Sequence, residues 1–216
     1  MNRKHKFAPG EIYHVYNRGV DKRDIFIDKY DVERFLLSME LFNSIKPIGS
    51  IYEQSFEKDR TVIKKQRLAN FIAYCLNPNH FHFALEEIRE GGISELMKRI
   101  SGGYTWSFNS KYKRSGSLLQ GVFKSMHVKD NDYLLHLSAY INLNDKVHQL
   151  GGETAKLVRS SWDEYTDRTD HEICKKKMVL DQFRSKSEYG KFALATLPDM
   201  INIKREAKEL KDLFHE

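Results

Sequence analysis

Two short groups of residues carry side chains that could take part in one reaction. The first is the tripeptide His80-Phe81-His82, and the second places Tyr140 four residues before Asn144. Neutral imidazoles and an amide oxygen can bind a divalent cation, and a tyrosine hydroxyl can attack a polarised phosphate. Taken alone, each group is more often an ordinary polar edge of a strand or a helix, so their meaning depends on the elements around them.

The histidine pair has the spacing of a β-strand face. Alternate side chains of a strand share a face, so His80 and His82 point one way while Phe81 and Phe83 point the other. The phenylalanines suit a core, which leaves two imidazoles side by side on the opposite face. This spacing can chelate one divalent metal; the alternative is two polar residues under a covering helix.

The tyrosine belongs to a helical pattern. His136, Tyr140 and Asn144 follow each other at intervals of four residues and so share a stripe. An unperturbed tyrosine has a pKa of about 10, so this phenol needs a polarised phosphate or a nearby base to act as a nucleophile. The alternative is an amphipathic helix edge without a chemical role.

The hydrophobic pattern predicts the elements that must position these groups. Strands are predicted over 11–17, 69–76, 80–86 and 119–128, and helices after Asp28 or Asp31, from 93 to 108, and after Asn131 or Asp132. Residues 50–68 read as a long loop or an extended hairpin arm. The first six elements follow the β-α-β-β-α-β order of the split ferredoxin-like fold. We therefore predict an α+β fold, a ferredoxin-like sandwich with an antiparallel sheet, helices on one face and a C-terminal helical extension.

Length and composition narrow the class of protein. The chain has 216 residues, enough for one domain or one domain with an appendage. It has no run of 18 apolar residues and no apolar stretch after its basic N-terminus, so we expect neither a membrane span nor a secretory signal. Two cysteines cannot build a disulfide framework, and we expect a cytoplasmic protein.

The positive charge is unevenly distributed. Residues 1–150 hold 23 Lys/Arg and 17 Asp/Glu, which accounts for the whole net charge of +6. No acidic residue occurs between Glu95 and Asp130, where cations alternate with aromatic residues, as in nucleic-acid-binding grooves. The alternative is a solvated helix with its aromatics in the core. The candidate DNA-binding residues of this stretch are Lys98, Arg99, Lys111, Lys113, Arg114 and Lys124.

Several motifs in order resemble one known family. They are Tyr13 to Gly19 (YHVYNRG), Tyr74 to His82 (YCLNPNHFH), Gln120 to Lys124 (QGVFK) and Tyr133 to Asn144 (YLLHLSAYINLN). Together they resemble the single-tyrosine HUH transposases, in particular the REP-associated branch, over about residues 8–165. HUH denotes two histidines around a hydrophobic residue.

The resemblance implies a role for each matching residue. His80, His82 and Asn144 would hold a divalent cation, Mg²⁺ or Mn²⁺, and Tyr140 would be the nucleophile. Asn17 and Arg18, in the first motif, would help to hold DNA. The implied protein is a transposase acting near the nucleoid as a homodimer. Its implied activity is metal-dependent cleavage and rejoining of hairpin-bearing single-stranded DNA through a 5′-phosphotyrosine bond.

The resemblance also implies a division of the chain, and it has exceptions. Residues 1–150 would form the catalytic domain and residues 151–216 the helical extension. The family commonly has proline after the amide ligand, where this chain has Asp145. That difference supports an alternative function, a DNA-hairpin-binding protein that does not cleave. A third possibility is a metal-free structural or RNA-binding domain, in which the two histidines would be buried and hydrogen-bonded to the backbone.

Overall fold

The computed structural model describes residues 6–49, 51 and 66–213. The strands are β1 (Ile12–Arg18), β2 (Ala69–Asn77), β3 (His80–Glu87), β4 (Lys124–His127) and β5 (Arg159–Ser160). The helices are α1 (Lys29–Leu41), α2 (Gly92–Lys111), α3 (Asn131–Asn142), α4 (Asn144–Val147), α5 (Gly152–Leu157), α6 (Trp162–Tyr165), α7 (Lys177–Leu180) and α8 (Lys186–Leu213). The loop or hairpin arm predicted over 50–68 falls largely outside the described residues.

The strands form one antiparallel sheet in the order β4-β1-β3-β2-β5. Its first four strands, with helices inserted after β1 and after β3, have the split ferredoxin-like arrangement. The predicted α+β fold is therefore confirmed. The turn predicted at Asn77-Pro78-Asn79 joins β2 to β3, and the Pro78 carbonyl accepts hydrogen bonds from the backbone N–H groups of Ile25 and Phe26.

The two faces of the sheet have different partners. Phe81 and Phe83 point into the core under α1 and α2, as the strand alternation predicts. Thus the two helices of the ferredoxin-like pattern share one face. The opposite face, which carries Ala84 and the two histidines, is covered by α3 and α8. The helix that bears Tyr140 therefore lies on the same side of the sheet as His80 and His82.

Side-chain caps define where two helices begin. At α1, Asp28 accepts a hydrogen bond from the Asp31 N–H and Asp31 accepts one from the Asp28 N–H, which makes a capping box. At α3 the cap is Asp130, whose carboxylate accepts from the Tyr133 N–H at 2.7 Å. The prediction of Asn131 or Asp132 as this cap is wrong by one or two residues. The sequence does not distinguish the three positions, because Asn and Asp side chains can all accept this kind of hydrogen bond.

The fourth strand is shorter than predicted. It spans Lys124–His127 and is preceded by a single bridge between Gly19 and Leu119. Between bridge and strand the chain turns at Gly121, whose φ is +63°, a value that glycine adopts without strain. The strand predicted over 119–128 is therefore interrupted at Gly121.

The C-terminal segment packs against the rest of the chain. β5 pairs with β2 in the main sheet, and α8 contacts α3 and α4. The Tyr189 hydroxyl of α8 accepts a hydrogen bond from the Asn142 amide at 2.8 Å. The domain division at residue 150 stays a prediction. Over the described residues, no helix has both the length and the apolar character needed to cross a bilayer.

Candidate active site

The candidate site lies where the ends of β1, β2 and β3 meet α3 and α4. His80 and His82 come from β3, and Tyr140 comes from the last turn of α3. The helix is interrupted at Leu143, and Asn144 begins the short helix α4. The structure thus brings together, on one face of the sheet, the predicted nucleophile and the three predicted metal ligands.

The hydrogen bonds of His80 identify which ring nitrogen is free to bind a cation. Its Nδ1 lies 2.6 Å from the Asn79 amide oxygen, which can only accept, so Nδ1 carries the proton. Its Nε2 therefore presents a lone pair. That lone pair faces the Asn77 amide nitrogen at 2.9 Å and lies 3.2 Å from the Asn144 amide oxygen. Two potential ligand atoms, the His80 Nε2 and the Asn144 Oδ1, are therefore adjacent.

The amide of Asn77 lies between these two atoms. Its side chain is fully buried, and its Nδ2 group donates to the Asn144 oxygen at 2.6 Å as well as to the His80 nitrogen. The NH₂ group of Asn77 thus places its partial positive charge between the lone pairs of the His80 Nε2 and the Asn144 Oδ1. A divalent cation would satisfy the same two atoms more strongly.

His82, the second histidine, is held in place by a histidine of the neighbouring strand β1. His82 Nδ1 and His14 Nε2 of β1 are 2.8 Å apart, and both side chains are buried. The bond occupies one nitrogen of each ring and leaves the Nε2 of His82 for another partner. Metal-binding histidines are commonly oriented in this way through their second nitrogen.

Tyr140 lies beside the second histidine. The ring centroids of Tyr140 and His82 are 5.6 Å apart, and the rings meet edge to face at 80°. Burial raises the pKa of the Tyr140 hydroxyl above its ordinary value of 10. The phenol is therefore protonated at neutral pH, and it depends on the substrate site for activation.

The donor set fits a divalent cation. It offers two imidazole nitrogens and one amide oxygen, neutral ligands that leave positions for phosphate oxygens or water. The Asn144 Nδ2 is buried and finds no hydrogen-bond partner among the described residues, which is a cost unless something orders this amide. Within the described ranges, no group of three or more His, Cys, Asp or Glu side chains could hold a metal, and the Asn144 amide as a third ligand stays a prediction.

The histidine rings of the site are uncharged at neutral pH. Burial lowers the pKa of His80 to about 4 and that of His82 well below its ordinary value. It also lowers the pKa of His14 to about 4 and that of His148 to about 3. All four rings are neutral at pH 7, and neutral imidazole is the form that binds metals.

Folding stability is expected to fall as the pH drops from about 6.5 towards 4. In the unfolded chain, His14, His80 and His148 become protonated near pH 6.5. In the folded chain, the same rings stay neutral until the pH falls to about 4. For His14 alone, such a pKa difference corresponds to roughly 3 kcal/mol. Urea unfolding at several pH values, without divalent metal, measures the effect. His14→Gln should reduce the pH dependence, and an unchanged slope would contradict the assignment.

The two candidate DNA-binding residues of the first motif lie on opposite faces of β1, with Arg18 opposite His80 and Asn17 opposite Phe81. Arg18 is exposed on the same face as His80, with its Nε 2.5 Å from the Gln120 side-chain oxygen. Asn17 is buried, and its amide donates to the Gly121 carbonyl at 3.2 Å. Lys124 is exposed and pairs in register with Tyr16, which places it on this face too.

The other candidate cations lie on or just after α2, across the sheet from the histidines. Two are already engaged: Arg99 pairs with Glu95, and Lys111 pairs with both Asp28 and Asp31. The guanidinium of Arg114 donates to the Asn109 side chain, while Lys98 and Lys113 are exposed. DNA contact by these five residues stays a prediction, and the structure does not join them to the histidine–tyrosine site.

The stripe predicted on the tyrosine helix is divided by the break at Leu143. Tyr140 and Asn144 reach the site, but the ring of His136 packs against Phe192 of α8, with 5.4 Å between centroids. Asp145, which follows the amide ligand, lines a separate cleft of about 240 Å³ beside Trp162. Its carboxylate is thus not among the groups that contact His80.

Four residues of the site were not predicted from the sequence. His14 and Asn77 are the partners of the two histidines. His148 follows Asn144 by one helical turn, and its ring lies 4.6 Å from that of His80. Lys204 reaches the site from α8 and lowers the pKa of its histidines. Two of the four had a signal in the sequence: His14 alternates with Tyr16 on one strand face, and His148 continues the four-residue spacing of His136, Tyr140 and Asn144.

Comparison with known proteins found a family model and a solved structure that are similar to this chain. Residues 48–144 match the family described as "Transposase IS200 like". No curated protein matches the chain. A solved structure described as "Structure of the REP associates tyrosine transposase bound to a REP hairpin" is similar with a TM-score of 0.49 and 12% identity, covering 80% of this chain and 89% of that chain. The predicted resemblance is confirmed: the stretch that matches the IS200-like transposase family model holds His80, His82, Tyr140 and Asn144.

Proposed function

We propose that this transposase cuts and rejoins single-stranded DNA through a covalent bond to Tyr140. The observation that supports the proposal is the approach of a tyrosine to an imidazole pair, buried His82 and half-buried His80, with Tyr140 and His82 centroids 5.6 Å apart. A structural role alone gives no reason to group two neutral imidazoles, an amide and a phenol on one sheet face. The ring nitrogens of the pair hydrogen-bond to side chains, which disfavours the metal-free structural domain.

We propose that His80, His82 and Asn144 hold the cation, Mg²⁺ or Mn²⁺. When bound, such an ion polarises a phosphate and offsets the charge that develops during displacement. The protein contributes the orientation of the ligands. Asn79 fixes the tautomer of His80, and His14 holds the ring of His82.

Tyr140 would attack the scissile phosphorus in line with the leaving oxygen. A bond forms between the tyrosine oxygen and phosphorus, and the bond from phosphorus to the 3′-oxygen breaks. The 3′-oxygen leaves as a hydroxyl, so the phenolic proton is transferred overall from tyrosine to the leaving group. The reverse reaction with another 3′-hydroxyl rejoins DNA without an external energy source.

The proposed substrate is single-stranded DNA that carries a hairpin, which is what the resemblance implies. Arg18 and Lys124 are exposed on the face of the sheet that bears His80. They are suited to contact the phosphates of a strand that leads to Tyr140. We also expect a homodimer, which light scattering on the purified chain would detect.

The test is covalent trapping of DNA. A labelled hairpin-bearing oligonucleotide, incubated with the protein and Mg²⁺ or Mn²⁺, is expected to give a denaturation-resistant protein–DNA band and a free 3′-hydroxyl fragment. The band should disappear with EDTA. Binding of the hairpin without a band, across both metals, would instead support the non-cleaving alternative that Asp145 suggests.

A further inference from the structure

The C-terminal helix brings a cation to the candidate site. The Lys204 ammonium of α8 donates to the Val147 carbonyl at the end of α4, at 3.2 Å. The ring of the next residue, His148, lies 4.6 Å from that of His80, between centroids, and is tilted by 45° to it. A continuous chain of contacts therefore links Lys204 to the first predicted metal ligand.

This ammonium has donors that the described part of the chain does not engage. An ammonium has three donors, and one is engaged by the Val147 carbonyl. Lys204 is half-buried, and no carboxylate pairs with it in the part of the chain that the structure describes. Burial lowers its pKa to about 8. A partly desolvated cation without a counter-ion costs free energy. Such groups are common at sites where a ligand supplies the opposite charge.

The charge of Lys204 acts on the site itself. It is linked to His80 through the Val147 carbonyl and the neighbouring His148 ring. Arg18 of β1 pairs in register with His80. Two cations from distant parts of the sequence are thus within electrostatic reach of one imidazole, and both disfavour further positive charge there unless an anion is present.

We propose that Lys204 binds a phosphate of the DNA strand next to the His80–Asn144 pair, so that the C-terminal helix completes the DNA-binding site. The anion would pair with the free ammonium donors and relieve the repulsion between Lys204 and a bound divalent cation. DNA and metal would therefore bind cooperatively. The proposal rests on the proposed function for the identity of the ligand, but it can be tested without DNA cleavage.

The first experiment measures binding in the Tyr140→Phe background, where cleavage does not interfere. Fluorescence anisotropy with a labelled hairpin-bearing strand is followed as a function of salt, in EDTA. Lys204→Gln should weaken binding and reduce the salt slope by about 0.7, the value for one lost phosphate contact on a single strand. Lys204→Arg should retain the slope. Equal affinity and slope for Lys204→Gln and its parent would overturn the proposal.

The second experiment separates this role from a structural one. Without DNA, Lys204→Gln should bind Mn²⁺ as tightly as the parent or more tightly, because a repelling charge is removed; with DNA, that gain should vanish. Electron paramagnetic resonance of free Mn²⁺ gives both values. Weaker Mn²⁺ binding without DNA would show that Lys204 only supports the fold, and would overturn the proposal.

Two further variants complete the design. Lys191→Gln removes an exposed lysine from the same helix, and it should leave binding and slope unchanged. Lys204→Met keeps the aliphatic part of the side chain. It is used in place of Lys204→Gln if that variant unfolds at a clearly lower temperature than the parent. If wild-type protein forms no covalent adduct but Lys204→Gln still loses its salt slope, the cleavage proposal fails while this one stands.

Discussion

Tyr140→Phe should reduce covalent adduct formation by a factor of roughly a thousand or more, because the substitution removes the attacking oxygen. It also removes the interaction of this hydroxyl with the Asn144 side chain. The ring remains to pack edge to face against His82. Binding of the DNA strand and of Mn²⁺ should stay close to that of the parent. Quantifying the adduct on denaturing gels over time gives the ratio of rates.

The site contains a matched control for this substitution. Tyr16 of β1 also lies 5.6 Å from His82, measured between ring centroids, but its ring is stacked at 25° rather than edge-on. Tyr16→Phe should leave adduct formation within a small factor of the parent. Persistence of the adduct in Tyr140→Phe would exclude Tyr140 as nucleophile, and Tyr133 and Tyr16 would be tested next by peptide mapping of the adduct.

The local pattern of the chain was sufficient to predict the fold. Period-2 alternation in His80 to Phe83 separates a core face from a polar face, and the structure shows this separation. The element order predicted the strand arrangement of the first four strands. These features depend on neighbours in the sequence, which is why they could be predicted.

The partners of the predicted residues could not be found in the same way. His14 and His82 are 68 residues apart and meet because β1 pairs with β3 with Tyr16 opposite His82. A shift of that register by one residue would turn His14 away from this face. Lys204 meets Val147 across 57 residues through helix packing. Single-sequence patterns contain neither a strand register nor the packing of distant helices.

The basic stretch shows the converse problem, because neighbours in the sequence can part in space. Residues 98–114 and Lys124 were grouped by the absence of acids, but α2 and the face that bears Lys124 lie on opposite sides of the sheet. The carboxylates that engage Lys111 come from the start of α1, outside the acid-free stretch. A count of Lys and Arg along the chain therefore overestimates how many of these side chains are available near the histidines.

Replacement of both histidines should remove metal binding and, with it, metal-dependent cleavage. His80→Ala takes away the lone pair that faces the Asn144 oxygen at 3.2 Å, and His82→Ala takes away the ring held by His14. The single remaining ligand, an amide oxygen, binds divalent ions weakly. We expect Mn²⁺ affinity to fall by roughly a hundredfold or more, with a loss of adduct of at least that size.

Mn²⁺ binding is measured directly by electron paramagnetic resonance, so this prediction does not depend on activity. The control is His127→Ala: this imidazole pairs with Glu11, lies opposite Tyr13 on the core-facing side of the sheet, and should not matter for the metal. A cooperative urea transition should persist in the double variant, because α1, α2 and their phenylalanine core are untouched. If the double variant binds Mn²⁺ like the parent, the pair is not a metal site; the buried contact of His14 with His82 would then be structural, and Tyr140 would need another source of activation.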